Sequence, residues 1–156
     1  MGRGKKLVCG KCGYSLRYME GIGMLHPHNC KSMLEDMKEG KEGEKFKKYA
    51  NELSNPAINM ELALFKCEKC GDLVGDKILE ICEKVGEYYP NNGNGWLGVD
   101  KLENFPMALS SVHRAVYSKP HFCKCGGEMK PVDSDDIIKC PRCQAVLENE
   151  NEIMFD

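Results

Sequence analysis

Polar and apolar residues alternate in the first part of the chain. Tyr14, Leu16 and Tyr18 fall on one face of an extended segment, with polar residues between them. A period of two is typical of a β-strand that buries one face. We therefore predict one strand within residues 7–20 and a second over 58–66, where apolar residues again dominate.

Between these strands the apolar residues recur at helical spacing. The first set follows Asn29, a residue type that favours the N-cap position, and contains Cys30, Met33, Leu34 and Met37. The second set has the spacing i, i+3, i+4, i+7 and contains Phe46, Tyr49, Ala50 and Leu53. The two sets predict two short helices, or one broken helix, inserted between the strands.

The pattern is less regular beyond residue 76. Apolar positions in 76–88 fit a helix better than an alternating strand, and these are Ile78, Leu79, Cys82 and Val85. A turn-rich linker begins at Pro90, and a short helix is predicted from about Pro106 to Tyr117. Residues 128–132 and 137–139 predict two closing strands.

Ten cysteines in 156 residues change this picture. The chain has no run of about 18 apolar residues, and its basic start is not followed by the apolar segment of a secretory signal. We therefore expect a cytoplasmic protein outside the membrane. In a reducing compartment, so many cysteines indicate metal binding rather than disulfides.

The cysteine spacing indicates zinc. Three pairs have C-x-x-C spacing, and a fourth, Cys123 and Cys125, has one residue between its cysteines. Zinc takes four thiolates in a tetrahedron, so two pairs make one site. Pairing consecutive motifs predicts two zinc ions per chain, one held by Cys9, Cys12, Cys67 and Cys70 and the other by Cys123, Cys125, Cys140 and Cys143. The long gap in the first site is no obstacle, because loop-closure cost rises slowly with length.

Two alternatives concern these ligands. His121 lies near the irregular pair and could replace Cys123 as a ligand. His26, His28 and Cys30 could form a third metal site with a group from elsewhere, such as Cys82 or His113. The sequence favours Cys123 as the ligand, and it favours Cys30 and Cys82 as small buried hydrophobic residues.

These elements predict an α+β fold of two small zinc ribbons with a helical insertion and short connecting helices. We expect an N-terminal ribbon with its insertion over 1–89, a linker and short helix over 90–120, and a C-terminal ribbon over 121–156.

Motifs of the common enzyme classes are missing from the sequence. It contains no H-E-x-x-H, no G-x-S-x-G, no phosphate-binding loop and no His-x-Glu of a zinc deaminase. Four thiolates also close the zinc shell to water. The sequence therefore disfavours an enzyme but does not exclude one.

The leading hypothesis is therefore a protein-interaction module. Two zinc–thiolate sites would bring the formal net charge from −2 to about −6, which disfavours nucleic-acid binding by the whole molecule. Nucleic-acid binding by the basic N-terminal segment is an alternative, using Arg3, Lys5, Lys6, Lys11 and Arg17, with Tyr14 and Tyr18 as stacking groups. A zinc hydrolase or a thiol redox protein is a lower alternative.

Several segments resemble a family of small bacterial zinc-ribbon proteins, most of which have no assigned function. The resemblance rests on Cys9-x-x-Cys12-Gly13-Tyr14, on residues 21–27 and 56–71, on the helical segment to Lys48, and on the ribbon over 121–147. The Cys123-Lys124-Cys125 motif departs from the C-x-x-C that the family has there. The resemblance implies zinc binding and a bacterial source, and it implies little about activity.

Overall fold

A computed structural model of the chain describes residues 2–21, 27–87, 106–108, 112–133 and 135–155. The predicted linker at Pro90 lies outside these residues. The described elements in chain order are β1 (Gly2–Val8), β2 (Ser15–Gly21), α1 (Pro27–Glu39), α2 (Glu44–Glu52), β3 (Ala57–Asn59), β4 (Leu62–Cys67), β5 (Leu73–Lys77), β6 (Glu80–Lys84), β7 (His113–Ser118), β8 (His121–Phe122), β9 (Glu128–Pro131) and β10 (Glu148–Phe155). The α+β class is confirmed. Neither described helix is long and apolar enough to span a membrane.

The chain forms two compact units from interleaved segments. The first contains Met1–Met24, Glu61–Ile78 and Pro120–Asp156, and the second contains Leu25–Met60 and Leu79–Lys119. This grouping differs from the contiguous regions 1–89, 90–120 and 121–156, because strand pairing in the first unit joins segments from both ends of the chain.

The second unit packs two helices on a small sheet. The helices of the insertion are confirmed, and α1 begins at Pro27, two residues before the predicted cap. Gly40 ends α1 with a φ of 88°, while the N–H of Lys41 donates to the Asp36 carbonyl, as in a Schellman motif. The sheet order is β3-β6-β7, and the core contains Cys30, Leu34, Met37, Phe46, Ala50, Ile58, Leu79 and Ile81.

Two predicted helices of the second half are wrong where the structure describes them. Residues 80–84 form β6, and residues 113–118 form β7. In β6 the adjacent residues Ile81 and Cys82 are both buried, so both faces are covered and the strand alternation is lost. In β7 the β-branched and aromatic residues Val116 and Tyr117 favour a strand over a helix.

The first unit is built on a seven-stranded sheet. Its order is β10-β1-β2-β4-β9-β8, with β5 also paired to β4. The predicted strands within 7–20, 58–66 and 128–132 correspond to β2, β4 and β9. The strand predicted over 137–139 is wrong, since only Lys139 forms an isolated bridge, with Val146. The sequence pattern does not predict β1, β5, β8 or β10. Both flanking partners of β1 are antiparallel, with Val8 opposite Ser15 in β2 and opposite Glu148 in β10. The pairing of β1 with β10 therefore brings the C-terminal segment alongside the first cysteine motif.

Candidate metal centres

Eight cysteines form two groups of four in the first unit. We call the first group centre A, which contains Cys9, Cys12, Cys140 and Cys143. We call the second group centre B, which contains Cys67, Cys70, Cys123 and Cys125. In each centre the four Sγ atoms lie within 4.8 Å of one another. Each group could therefore hold one metal ion.

The partners predicted for each cysteine pair are corrected by this arrangement. Cys9 and Cys12 meet Cys140 and Cys143, and do not meet Cys67 and Cys70. The pairing of the strands next to each motif explains this arrangement. β1 leads into Cys9 and pairs with β10, which follows Cys143. β4 ends at Cys67, which lies opposite Met129 of β9. The first and last motifs thus form one centre, and the two inner motifs form the other.

Three of the four cysteine turns share one hydrogen-bond pattern. The N–H of the first cysteine donates to the carbonyl five residues later, and the N–H four residues later donates back to the carbonyl of that cysteine. The N···O distances are 2.8–3.0 Å, and the first cysteines are Cys9, Cys67 and Cys140. The residue after the second cysteine has a positive φ, which glycine adopts at least cost. Gly13 and Gly71 fill this position at two turns, whereas the third has Gln144 with a φ of 63°.

The turn of Cys123 and Cys125 keeps this pattern in a shorter form. The N–H of Cys123 donates to the Gly127 carbonyl at 2.9 Å, and the N–H of Gly126 donates to the Cys123 carbonyl at 2.9 Å. Both bonds close one residue earlier than in the other turns. The C-x-C motif therefore still brings both sulfurs to centre B.

The sulfur–sulfur distances fit a single tetrahedral ion. Bonds of about 2.3 Å from zinc to sulfur place tetrahedral sulfurs about 3.8 Å apart. In centre A the Cys9–Cys143 and Cys12–Cys140 Sγ distances are 3.4 and 3.5 Å. In centre B the Cys67–Cys125 and Cys70–Cys123 distances are 3.5 and 3.6 Å. A disulfide has a sulfur–sulfur distance of about 2.05 Å. All eight cysteines are therefore free thiols, four in each centre.

The electrostatics of the thiols also favour a cation. The backbone N–H of Cys12 donates to the Cys9 sulfur and lowers the pKa of Cys9 to about 6, and the N–H of Cys70 does the same for Cys67. A backbone N–H also lowers the pKa of Cys12 and of Cys70, but the neighbouring sulfurs and burial outweigh it and raise each pKa to about 12. One thiolate in each centre therefore opposes ionisation of the next. A divalent cation removes that opposition.

The other candidate ligands lie elsewhere or outside the described side chains. The His121 ring stacks on Phe65 at 4.1 Å, and its Nε2 lies 3.1 Å from the Lys77 carbonyl oxygen, so Cys123 and not His121 is in centre B. His26 and the side chain of His28 lie outside the described part. Cys30 is 1% exposed in the helical core, and burial raises the pKa of its thiol.

The two centres differ in their surroundings. In centre A, Cys9 and Cys140 are buried, and Tyr14 packs against the same apolar cluster, with the Arg142 guanidinium 5.4 Å from the centre of its ring. In centre B only Cys67 is buried, whereas Cys70 and Cys125 are exposed. Sequence reasoning missed this difference, although the aromatic residue after the first motif was one signal of it.

Comparison of the chain with protein-family models, with curated proteins and with solved structures gives no match. The likeness to small bacterial zinc-ribbon proteins therefore rests on the sequence segments given above, and family membership and a bacterial source stay predictions.

Proposed function

We propose that the chain is a protein-binding module whose first unit is held together by two structural zinc ions, one in centre A and one in centre B. The observation that carries this proposal is the pair of four-sulfur groups with distances suited to one tetrahedral ion each. Four thiolates fill the coordination shell and leave no position for water or substrate, which supports a structural role.

Zinc is the ion that this ligand set favours. Tetrahedral sulfur sites in proteins hold zinc or iron, and soft thiolates disfavour magnesium and calcium. Elemental analysis of chain purified under reducing conditions should give two zinc ions per chain and no iron. Removal of both ions by a chelator should unfold the first unit, because structural zinc contributes its binding energy to folding.

A surface in the first unit supports a protein partner. Ile137 and Val146, both in the first unit, are 71% and 58% exposed. Both line a groove of about 280 Å³, and Ile137 also lines a second groove of about 520 Å³. An apolar side chain of a partner would cover this aliphatic surface.

The charge beside this surface indicates the chemistry of the partner. Asp133 and Asp136 line the smaller groove, and Asp135 is exposed between them. Within the described part of the chain, no cationic side chain forms an ion pair with these three carboxylates. We therefore propose a partner segment that carries an aliphatic anchor and a neighbouring Lys or Arg.

Capture experiments from the source cell test this assignment. Wild-type chain should retain a protein that is lost when Ile137→Asp and Val146→Asp are combined. Val85→Asp is the control, because Val85 is 55% exposed and belongs to the second unit. Capture of the same proteins by wild type and by the double variant would contradict the proposed surface, and capture of none would contradict the module.

The contacts of the basic N-terminal segment favour protein over nucleic acid as the partner. Tyr18 is 8% exposed in the core, where a base cannot stack on it. Lys5 pairs with Glu20 and Lys6 pairs with Glu150, so two of the five cationic groups are already neutralised. Filter binding over a range of salt concentrations should show no salt-dependent affinity for single-stranded or double-stranded nucleic acid.

A further inference from the structure

Access to the sulfurs distinguishes the two proposed zinc centres. Centre A exposes Cys12 and part of Cys143, while Cys9 and Cys140 lie at 1% and 0% exposure inside an apolar cluster. Centre B exposes Cys70 and Cys125 and leaves Cys123 partly accessible. Since oxidation of cysteine follows thiolate character and exposure, centre B offers more reactive sulfur to a dissolved oxidant.

The residues that close the cysteine turns add to this difference. In centre A these residues are Tyr14 and Ala145, and Tyr14 packs in the apolar cluster beneath the Arg142 guanidinium. In centre B they are Asp72, which has a short carboxylate side chain, and Gly127, which has none. The turns of centre A thus close on an aromatic residue, Tyr14, and the turns of centre B do not.

Hydrogen bonds to sulfur separate Cys123 from the first cysteines of the other turns. Cys67 accepts a bond from the N–H of Cys70, and Cys140 accepts one from the N–H of Arg142. In the described structure, no backbone N–H donates to the sulfur of Cys123, whose turn is one residue shorter. A thiolate without a donor keeps its full electron density, so Cys123 is suited to attack a neighbouring sulfur once that sulfur has been oxidised.

We propose that centre B is a modification site for hydroperoxides, at which Cys70 and Cys123 are oxidised to a disulfide and the bound metal is released. This inference rests on the proposed zinc occupancy and adds a regulated state of the same centre. Cys70 and Cys125 are both exposed, and each lies within 3.5–3.6 Å of another sulfur of centre B. The neighbour of Cys70 is Cys123, which is partly accessible, whereas the neighbour of Cys125 is Cys67, which is buried.

The reaction balances as a two-electron oxidation. The Cys70 thiolate attacks one oxygen of hydrogen peroxide, the O–O bond breaks, and a sulfenic acid forms while the other oxygen leaves as water after protonation. The Cys123 thiolate then attacks the Cys70 sulfur and displaces hydroxide, which is protonated to a second water. Two thiolates and two protons are consumed with one peroxide. Only Cys67 and Cys125 then remain as ligands, which is too few to hold the ion.

The test uses full-length chain carrying two zinc ions and freed of reductant. One equivalent of hydrogen peroxide is added, released zinc is followed with a chromogenic chelator, and oxidised cysteines are mapped by differential alkylation and mass spectrometry. We expect loss of one of the two zinc ions, a Cys70–Cys123 disulfide, and the centre A cysteines recovered as thiols. Dithiothreitol with added zinc should restore the second ion.

A substitution of Tyr14 tests whether this aromatic residue slows the oxidation of centre A. In excess hydrogen peroxide, Tyr14→Ala should speed the loss of the second zinc ion, from centre A, without changing the release from centre B. Equal rates of release from both centres of the wild-type chain, or oxidation of Cys9, Cys12, Cys140 or Cys143 first, would overturn the inference while leaving structural zinc intact. A chain that carries no zinc before peroxide is added would instead overturn the proposed function and this inference with it.

Discussion

Replacing Gly127 by alanine would place a methyl group inside centre B. A Cβ atom at this position would lie 2.6 Å from the Cβ of Lys69, 2.7 Å from the Sγ of Cys67 and 3.3 Å from the Sγ of Cys125. Non-bonded carbon atoms prefer separations of about 3.5–4.0 Å, so the overlap with Lys69 is about 1 Å. The Cys67 sulfur cannot yield freely, because it must stay in position to bind the ion.

The size of the effect follows from the cost of overpacking. Forcing a methyl group into a packed site costs about 1–3 kcal/mol. Since Cys67 moves only when the ion is lost or misplaced, most of this cost should weaken zinc binding in centre B. At about 1.4 kcal/mol per factor of ten, the affinity of centre B should fall roughly 5- to 150-fold. Centre A shares no residue with the affected contacts and should keep its affinity.

Competition with a chromogenic chelator measures the two zinc affinities in one titration. Gly127→Ala should split the titration into an unchanged step and a weakened step. Gly10→Ala is the control, since it lies beside Cys9 in a turn of centre A and its added Cβ would meet no atom within 4 Å. Two wild-type affinities in Gly127→Ala would refute the close approach of Gly127 to the sulfurs, and with it this geometry of centre B.

Three further predictions concern the turns, the buried cysteines and the free thiols. Gln144→Gly should raise the free energy of unfolding, measured in urea, by about 0.5–1 kcal/mol. Glycine relieves about 1–2 kcal/mol of strain at the left-handed φ of 63°, but its greater freedom in the unfolded chain offsets part of that gain. A destabilised variant would contradict the assigned turn. Cys30→Ser should lower the free energy of unfolding by about 1–3 kcal/mol, because it buries a hydroxyl, and it should leave the zinc content unchanged. Loss of a zinc ion from this variant would instead support a third site with His26 and His28. In metal-free chain, which should lose the fold of the first unit, ultraviolet titration should show the thiols ionising near the ordinary cysteine pKa of about 8.5. A step near pH 6, where the folded turns place the pKa of Cys9 and Cys67, would mean that the turns fold without zinc and would contradict the structural role of the ions.

The sequence was sufficient to select the cysteines but not to pair them. Spacing identified all eight cysteines of the two centres, because a turn with two sulfurs needs only local residues. Partner choice depends on β1 and β10, which pair across almost the whole chain. One signal was present in the uneven charge, since the basic N-terminal segment and the acidic C-terminal segment meet in the Lys6–Glu150 pair.

Local pattern also limited the secondary structure that could be predicted. The insertion helices follow from one apolar face each, and β2 follows from the alternation of Leu16 and Tyr18 with polar residues. In β6 both Ile81 and Cys82 are buried, so the sequence carries no period of two. The close approach of Gly127 to the Cys67 sulfur could not be predicted either, because it depends on contacts between segments far apart in sequence.

The central claim is that two zinc centres are nested, with the outer motifs in one and the inner motifs in the other. Two substitutions within one centre should remove one zinc ion, whereas two substitutions in different centres should remove both. Zinc content of the combined Cys12→Ser and Cys143→Ser variant measures this directly, with combined Cys12→Ser and Cys70→Ser as its counterpart. We predict that the first variant keeps one zinc ion and the second keeps none. The opposite result, none in the first and one in the second, would contradict the nested arrangement and support pairing of consecutive motifs.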